Sequence, residues 1–430
     1  MNSSDSKKMS YSSLAINGGS PAKQFPCPPM YPGGMMIDRE EEQAVLETLQ
    51  SKRLFRYYGP YPGPSKAEQL EAEFSKLFNS RHALAVTSGT AALVCALHGL
   101  GIGPGDEVII PGYTWIATAS AVLAVGAVPI IAEVDDSLTL DPSDIEKNIT
   151  RHTKAIIPVH MRGVPCQMDQ LIEIASRYNL KILEDSAQAV GASYHQKRLG
   201  TIGDVGIYSL QFNKVITAGE GGMVLTDDPI IWQRAVMFHD PIAGLRNRFP
   251  AEEVIWGINF RMPELLAAVS LVQIRRLDDL LFKMRERKQF LTSALEPELS
   301  TYGIEFQKIP DVNGDASVAL IFFLPDATKT RQFCDALVKE NIPASFLYDP
   351  QVVDYHVYAH WRPIMDQREW SPQGSPWQLA DRKIQYQPDM CPKTLNLLSR
   401  AVHLDVSPLL TNQDLEEIID GVMKVTNAIL

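Results

Sequence analysis

Short apolar runs alternate with longer segments of helical periodicity between residues 37 and 285. Seven of these runs have the length and composition of buried strands, and they are 83–86, 107–111, 128–132, 155–160, 181–184, 205–209 and 222–226. Stretches of helix length, such as 116–125 and 168–178, separate several of them. Strands spaced by helices form parallel sheets that are covered on both faces. The pattern therefore predicts an α/β domain built on a mainly parallel seven-stranded sheet.

The pattern changes after residue 285. Segment 264–287 has helical periodicity and charged ends, so we expect a helix that connects the large domain to a smaller one. Farther along the chain, the apolar pattern predicts a strand at 318–323 and helices at 330–340 and 412–430. These elements indicate a smaller α+β domain, to which an N-terminal arm adds. The resulting division is a flexible N-terminal tail at 1–15, a large domain at 16–285 and a small C-terminal domain at 286–430.

A further segment has no regular periodicity. Residues 348–377 contain many aromatic side chains, two histidines, His356 and His360, and four prolines. We expect a long loop here, and long loops in compact domains are often functional.

Composition and charge exclude some classes of protein. The chain has 430 residues, of which 45% are hydrophobic and 21% charged, so extensive disorder is excluded. With 51 acidic against 40 basic side chains, its net charge is −11. A general nucleic-acid-binding protein would need a basic surface, so we expect no nucleic-acid partner.

Targeting and metal-binding features are also not expected. The most apolar stretch, 119–132, is interrupted by Gly126 and Pro129 and is too short to span a bilayer. The polar N-terminus has no apolar signal core, which favours a cytoplasmic location. The five cysteines are scattered without a CxxC pair, so neither a disulfide framework nor a metal site is expected.

Four short segments contain candidate chemistry, and each has an ordinary explanation. Residues 87–90 begin a predicted helix, where free N–H groups favour a phosphate or where a serine simply caps the helix. Asp185 ends a strand, at the edge where parallel sheets bind ligands, although loop acids also occur there. Lys214 lies in a glycine-rich loop and is either a nucleophile or a surface lysine. Trp115 either stacks on a planar ligand or packs in the core.

The joint occurrence of these features is more informative than any one of them. A phosphate site, a stacking ring, an acid and a lysine follow one another along a single α/β domain. Together they form the set that a pyridoxal phosphate site requires. In such a site the lysine holds the cofactor, and the acid keeps the pyridine nitrogen protonated so that the ring can take up electrons.

Six ordered motifs extend this interpretation to a known family. They are Ser88–Leu93, Gly103–Val108, Pro158–His160, Glu184–Gln188, Ser209–Gly222 and Gly257–Met262. In this order and spacing, the chain from about Leu14 to its C-terminus resembles the DegT/StrS sugar aminotransferases. The resemblance implies the aspartate aminotransferase-like architecture of fold type I enzymes and a pyridoxal 5'-phosphate cofactor.

The resemblance also implies roles for individual residues. Lys214 matches the Schiff-base lysine of the family, and Asp185 matches the acid paired with the pyridine nitrogen. The other residues implied to bind the cofactor lie around its ring, its phenolic oxygen and its phosphate, and they are Trp115, Gln188, Ser88, Gly89, Thr90 and Ser209. Asn259 matches a phosphate ligand that comes from the neighbouring subunit. A homodimer with shared active sites is therefore implied.

Gln211 departs from the family pattern, which usually has Ser-Phe-His where this chain has Ser209-Leu210-Gln211. Glutamine at this position resembles the members that act on cyclitol ketones such as scyllo-inosose, with glutamine as a frequent amino donor. It also resembles aminohydroxybenzoate synthases, which use the same cofactor for a dehydration. Alternatively, Gln211 only replaces one hydrogen-bonding side chain with another.

The function implied is transfer of an amino group from glutamine or glutamate to a keto-cyclitol or keto-sugar, in a biosynthetic pathway such as that of an antibiotic. The alternatives are an aminohydroxybenzoate synthase-like dehydratase and a nucleotide-keto-sugar aminotransferase. A regulator built on an inactive aminotransferase fold is a further hypothesis, which the intact Lys214, Asp185 and Trp115 disfavour.

The acceptor and the donor need side chains of their own. The candidates for binding them are Gln211, Arg261, Tyr348 and His356. An arginine can bind a donor carboxylate through two hydrogen bonds, so Arg246 and Arg248 are further candidates, although an ordinary surface position explains both.

Overall fold

A computed structural model describes residues 13–369, 371, 374 and 376–430. The α-helices of this part of the chain are α1 Arg39–Ser51, α2 Lys66–Phe78, α3 Gly89–Leu100, α4 Ala117–Ala124, α5 Pro142–Asn148, α6 Met168–Tyr178, α7 Pro229–His239, α8 Ala243–Arg246, α9 Glu264–Gln273, α10 Leu277–Ser300, α11 Thr330–Lys339, α12 Arg362–Met365, α13 Pro376–Leu379, α14 Pro392–Arg400 and α15 Asn412–Ile429. The β-strands are β1 His82–Val86, β2 Glu107–Pro111, β3 Val128–Ala132, β4 Thr153–Ile156, β5 Lys181–Asp185, β6 Ser193–Tyr194, β7 Lys197–Arg198, β8 Val205–Ser209, β9 Gly222–Thr226, β10 Glu305–Phe306, β11 Ala319–Phe323, β12 Ala344–Phe346 and β13 Ala401–Asp405.

The large sheet has seven strands in the order β1-β9-β8-β5-β4-β2-β3. Strand β9 runs antiparallel to both of its neighbours, and the other pairings are parallel. The predicted mainly parallel seven-stranded sheet is confirmed, with one strand from each of the seven apolar runs. Strands β2 and β3 are buried at every position, as expected where helices cover both faces. The predicted run 155–160 differs most from its strand, because β4 covers Thr153–Ile156 and regular pairing ends there.

The helix predicted at 264–287 is two helices rather than one. Helix α9 ends at Gln273, a tighter 3₁₀ turn covers Ile274–Arg276, and α10 then continues to Ser300. A single tight turn shifts the positions of side chains only slightly, so apolar periodicity does not reveal it. Among the helices that the structure describes, none combines the length and the apolarity that crossing a bilayer requires.

A second core lies under a four-stranded antiparallel sheet in the order β10-β11-β13-β12. Helices α10, α11 and α15 contribute to this core, and the predicted domain boundary at residue 285 falls inside α10.

The N-terminal arm packs on this smaller unit. Residues 1–12 of the predicted tail lie outside the described part of the chain, but Leu14 is fully buried in the second core. The N–H group of Ala22 donates to Glu340 at 2.7 Å, and Lys23 forms an ion pair with Glu417 at 2.9 Å. The first residues of the predicted large domain therefore contact the small one.

The segment predicted as a long loop, 348–377, is partly ordered into helix. Its described residues include the 3₁₀ turn Tyr358–His360 and helix α12, while residues 370, 372, 373 and 375 lie outside the description. Tyr358 and Trp361 are fully buried in the core of the large domain. Their burial holds the segment on the large domain, because large aromatic side chains contribute most of its packing area.

A buried carboxylate fixes the end of strand β5. Glu184 is fully buried, and its carboxylate accepts three backbone hydrogen bonds at 2.6 to 2.8 Å, from Gly200, Ile202 and Gly203. The N–H group of Cys166 donates to Nδ1 of His160 at 3.1 Å, which leaves Nε2 of His160 to donate to Glu184 at 3.1 Å. Glu184 thus ties the loop after β7 and the segment after β4 to the strand that ends in Asp185.

Replacing Glu184 with glutamine tests this connection. The amide has only one oxygen to accept hydrogen bonds, so buried N–H groups lose their partner. We expect the Glu184→Gln variant to lose about 1–3 kcal/mol of unfolding free energy, measured by urea titration. Glu173→Gln is the matched control, because its ion pair with Arg177 is exposed. Equal midpoints for the two variants would contradict the role of Glu184.

Candidate active site

The candidate residues meet at one edge of the large sheet. Asp185 is the last residue of β5 and Ser209 is the last residue of β8, while Lys214 lies in the loop between β8 and β9. Gly89 follows β1, and Trp115 follows β2. These strands are parallel to one another, so their carboxyl ends lie at the same edge and the topology alone brings the residues together.

Lys214 lies half-buried in a cavity of about 430 Å³. Polar side chains from several parts of the chain line this cavity with it: Tyr31, Arg162, Gln188, His356, His403 and Asp405. Burial lowers the pKa of Lys214, the Asp185 carboxylate opposes this shift, and the positive charge of Arg162 adds to it, so that the pKa is about 8. Much of the amine is therefore neutral at mildly alkaline pH, as a nucleophile requires.

Asp185 presents a buried carboxylate close to this amine. Only 4% of its surface is exposed. One oxygen, Oδ2, accepts a hydrogen bond from the Thr118 hydroxyl at 2.9 Å, and Oδ1 accepts one from the N–H group of Ala187 at 3.1 Å. Burial raises the pKa of Asp185, and these hydrogen bonds and the charge of Lys214 oppose the rise. The contacts fix the orientation of the carboxylate, which can pair with a cationic nitrogen.

The N-terminus of helix α3 lies beside the end of β8. Ser88 caps the helix by accepting a hydrogen bond from the N–H group of Ala91 at 3.0 Å. A Cβ atom on Gly89 would lie 2.9 Å from Cβ of Ser209, so only glycine allows this approach. Thr90 is exposed at the same helix end. The N–H groups of the first turn and the Ser209 hydroxyl therefore share a small region that suits an anion.

Trp115 and His356 form one wall of the site. The indole is 47% exposed, and its ring centroid lies 5.0 Å from that of His356. Nδ1 of His356 lies 2.8 Å from the Asp354 carboxylate. The N–H group of Thr114 donates to the His356 carbonyl at 2.9 Å, which joins the segment around residue 356 to the turn after β2. Burial lowers the pKa of His356, and the Asp354 carboxylate opposes the shift.

Gln188 has a structural contact in addition to lining the cavity. Its side-chain oxygen accepts a hydrogen bond from the N–H group of Arg162 at 3.1 Å. The turn after Asp185 and the segment after β4 are thereby connected directly beside Lys214.

Two of the predicted substrate residues, Gln211 and Tyr348, make contacts with residues close to them in the chain. The Gln211 side chain accepts a hydrogen bond from the N–H group of Asn213 at 2.9 Å, which shapes the turn before Lys214. The ring of Tyr348 packs 5.4 Å from the ring of His360. Neither side chain is among the described residues that line the Lys214 cavity, so for both residues a part in substrate binding stays a prediction.

Arg261 and Asn259 also lie outside this cavity. Arg261 forms an ion pair at 2.9 Å with the buried carboxylate of Asp240, which also lies 3.5 Å from Arg246. Asn259 is exposed, and its side-chain oxygen accepts a hydrogen bond from the N–H group of Arg261 at 3.2 Å. Arg248 is exposed as well. None of the four candidates Arg246, Arg248, Asn259 and Arg261 is among the described residues that line the Lys214 cavity, so their roles stay predictions.

Four of the polar cavity residues named above were not predicted: Tyr31, Arg162, His403 and Asp405. Arg162 comes shortly after the Pro158–His160 motif, and its position beyond a parallel strand could have suggested a ligand contact. His403 and Asp405 come from β13 of the small sheet, and no pattern in the sequence places that strand opposite Lys214.

Comparison with known proteins gives a consistent result. Residues 35–368 match the DegT/DnrJ/EryC1/StrS aminotransferase family. An L-glutamine:2-deoxy-scyllo-inosose aminotransferase of Micromonospora echinospora is 38% identical over 308 residues, which cover 68% of this chain and 70% of the relative. The spore coat polysaccharide biosynthesis protein SpsC of Bacillus subtilis (strain 168) is 31% identical over 411 residues, covering 91% and 95%. The crystal structure of 3-amino-5-hydroxybenzoic acid synthase superposes with a TM-score of 0.78 at 28% identity, covering 94% of this chain and 99% of that one.

The lowered pKa of Lys214 can be measured on the apoprotein. Amine labelling followed by mass spectrometry should show a reactivity midpoint near pH 8 at Lys214. The charge of Asp185 favours the protonated amine, so Asp185→Asn should move this midpoint to lower pH. Asp136→Asn changes an exposed acid in the same way and serves as the control. An unchanged midpoint in Asp185→Asn would show that the two groups do not interact.

Proposed function

The chain belongs to the DegT/DnrJ/EryC1/StrS aminotransferase family, and on that basis we propose that it transfers an amino group from glutamine or glutamate to the ketone of a cyclitol or sugar. The family is pyridoxal phosphate-dependent, so the protein is a pyridoxal phosphate-dependent aminotransferase with the fold of that family. The observation that best supports the proposal is the meeting of Lys214, Asp185 and Trp115 at one sheet edge, with a Lys214 pKa of about 8.

The residues present fit this cofactor. Lys214 would hold it covalently, Asp185 would pair with its pyridine nitrogen, and Trp115 would cover one face of its ring. The N-terminus of α3 and the Ser209 hydroxyl would bind its phosphate. Gly89 supports this assignment, because a side chain there would close the space between the helix and Ser209. When bound, the cofactor withdraws electrons from the α-carbon of the amino donor.

The Lys214 amine is the group of the protein that can transfer the proton of the donor α-carbon. A Lys214 amine with a pKa of about 8 can take the proton from the donor α-carbon and return it to another carbon, acting as general base and then as general acid. The hydrogen bond from Thr118 fixes the orientation of the Asp185 carboxylate, which would pair with the pyridine nitrogen of the bound cofactor.

The relatives support a cyclitol or sugar as the acceptor. The Micromonospora echinospora relative is named for 2-deoxy-scyllo-inosose and the Bacillus subtilis relative for a polysaccharide pathway. A dehydratase reaction is the second candidate, because a 3-amino-5-hydroxybenzoic acid synthase has the same fold over 94% of the chain. A role in antibiotic biosynthesis and a cytoplasmic location stay predictions.

A homodimer is proposed from the surface near Asn259. Leu245 is 77% exposed and Trp256 is 75% exposed, and both lie in the same segment of the chain as Asn259. Arg246, next to Leu245, stacks on the ring of Tyr57 at 4.3 Å, which extends this surface. Large apolar side chains that are grouped at a surface usually contact a partner. A second copy covering them would bring its Asn259 towards the active site of the first.

The first prediction of this proposal concerns the cofactor and the donor. The purified protein should show the visible absorption of bound pyridoxal phosphate, and glutamine or glutamate should bleach it. Lys214→Ala should lose turnover by several orders of magnitude, because the proton-transfer group is removed. Screening keto-cyclitols, keto-sugars and nucleotide keto-sugars with the bleached enzyme identifies the acceptor. A protein that no amino donor bleaches would contradict transamination.

The second prediction concerns the shared sites. Coexpressed Lys214→Ala and Asn259→Ala chains form mixed dimers with one intact site, so about a quarter of the wild-type activity should return. A mixture of Lys214→Ala with Asp185→Asn is the control and should recover nothing, because both residues belong to the same chain's site. Recovery no greater than the sum of the separate variants would exclude an Asn259 contribution from the partner.

A further inference from the structure

Arg162 lines the cavity and forms no ion pair with a carboxylate of the described residues, although the charges of Asp405 and Asp354 act on it. Its backbone is left-handed, with φ 53°, which is unusual for a residue other than glycine and is found where function or packing requires it. The hydrogen bond from its N–H group to Gln188 holds it in this conformation. Its Nε lies 3.4 Å from the Tyr113 hydroxyl, a long contact, and no carboxylate of the described residues forms an ion pair with its guanidinium.

The other arginines considered for binding the donor carboxylate differ from Arg162 in their ion pairs. Arg246 and Arg261 both contact the Asp240 carboxylate and both stack on aromatic rings. Their charges are already compensated, and neither lines the cavity. Arg162 lines the cavity together with Lys214, and its two terminal nitrogens form a fork that matches a carboxylate.

Asp405 contributes the opposite charge from the small domain. It is the last residue of β13, and its carboxylate lies 3.7 Å from Nε2 of His403. Burial lowers the pKa of His403 well below its ordinary value, so this neutral ring does not compensate the charge of Asp405. Burial raises the pKa of Asp405, and the positive charge of Arg162 opposes the rise. Among the described side chains, none donates a hydrogen bond to the Asp405 carboxylate that meets ordinary geometry.

The charges of the two substrates indicate whether Arg162 and Asp405 bind the amino donor or the keto acceptor. A keto-cyclitol is an uncharged polyol, whereas an amino-acid donor has an α-carboxylate that needs a cation. Glutamine also has a side-chain amide that can donate to a carboxylate, and glutamate has a second negative charge that a carboxylate repels. The cavity offers both an arginine fork and an acid, which act on each other electrostatically but form no ion pair with each other.

We propose that Arg162 binds the α-carboxylate of the donor amino acid and that Asp405 accepts a hydrogen bond from the donor's side-chain amide, so that the pair selects glutamine over glutamate. This inference rests on the proposed aminotransferase function. It assigns the donor site to two residues from different domains, which are brought together at Lys214.

The test uses the pyridoxal phosphate-loaded enzyme and measures binding and the donor half-reaction separately. Arg162→Gln removes the fork, Arg162→Lys keeps the charge without the fork, and Asp405→Asn removes the acid. Exposed Arg81→Gln and Asp389→Asn are the matched controls. Binding is measured with 2-methylglutamine, which has no α-hydrogen and cannot react further, and with its α-amide, which has no carboxylate. Bleaching rates are measured with glutamine and glutamate.

In the wild type, 2-methylglutamine should bind about 10- to 100-fold more tightly than its α-amide, as expected for a charge-assisted hydrogen-bonded pair. Arg162→Gln should remove this difference, and Arg162→Lys should retain part of it. Asp405→Asn should lower the preference for glutamine over glutamate at least about tenfold. The control variants should show the same binding ratio and the same preference for glutamine as the wild type.

Two results would overturn the inference. If Arg162→Gln weakens the binding of 2-methylglutamine and of its α-amide by the same factor, Arg162 has only a structural role. If Asp405→Asn leaves the ratio of glutamine to glutamate unchanged, Asp405 does not select the donor. Failure of the proposed function is a separate result, because then no amino donor would bleach even the wild-type enzyme.

Discussion

Two adjacent carboxylates at the end of strand β5 determine how the site is built. Successive residues of a strand point to opposite faces, so Glu184 and Asp185 have different surroundings. Glu184 binds three backbone N–H groups and His160 in the interior. Asp185 is left to face Lys214, with Thr118 fixing its orientation. The buried hydrogen bonds of Glu184 hold the strand end in place, and the position of the Asp185 carboxylate beside Lys214 depends on them.

The electrostatics of the cavity differ from those of the whole molecule. The chain has a net charge of −11, yet its cavity combines Lys214 and Arg162 with few compensating acids. The proximity of these two cations lowers the pKa of the Lys214 amine, and burial lowers it more. One arrangement thus makes the lysine reactive and leaves an arginine available for an anionic substrate. Net charge describes the surface and not the site.

Much of the large domain could be predicted from its sequence. Strands of apolar residues separated by helices defined the sheet, and Lys214, Asp185 and Trp115 follow strands whose ends must meet. The interruption at Ile274–Arg276 was missed, because one tight turn barely alters the apolar period. The burial of Tyr358 and Trp361 was missed too, since an aromatic segment without periodicity is typical of a loop.

Local motifs and the order of the strands were enough to predict the family, the cofactor chemistry and the residues at the sheet edge. The surroundings of Lys214 became known only from the folded chain. Arg261 looked suitable for a carboxylate but is paired with Asp240, whereas Arg162 remains unpaired in the cavity. Asp405 reaches the cavity from a different domain. Which charges are compensated depends on contacts between residues far apart in the chain, and residue type and spacing do not contain that information.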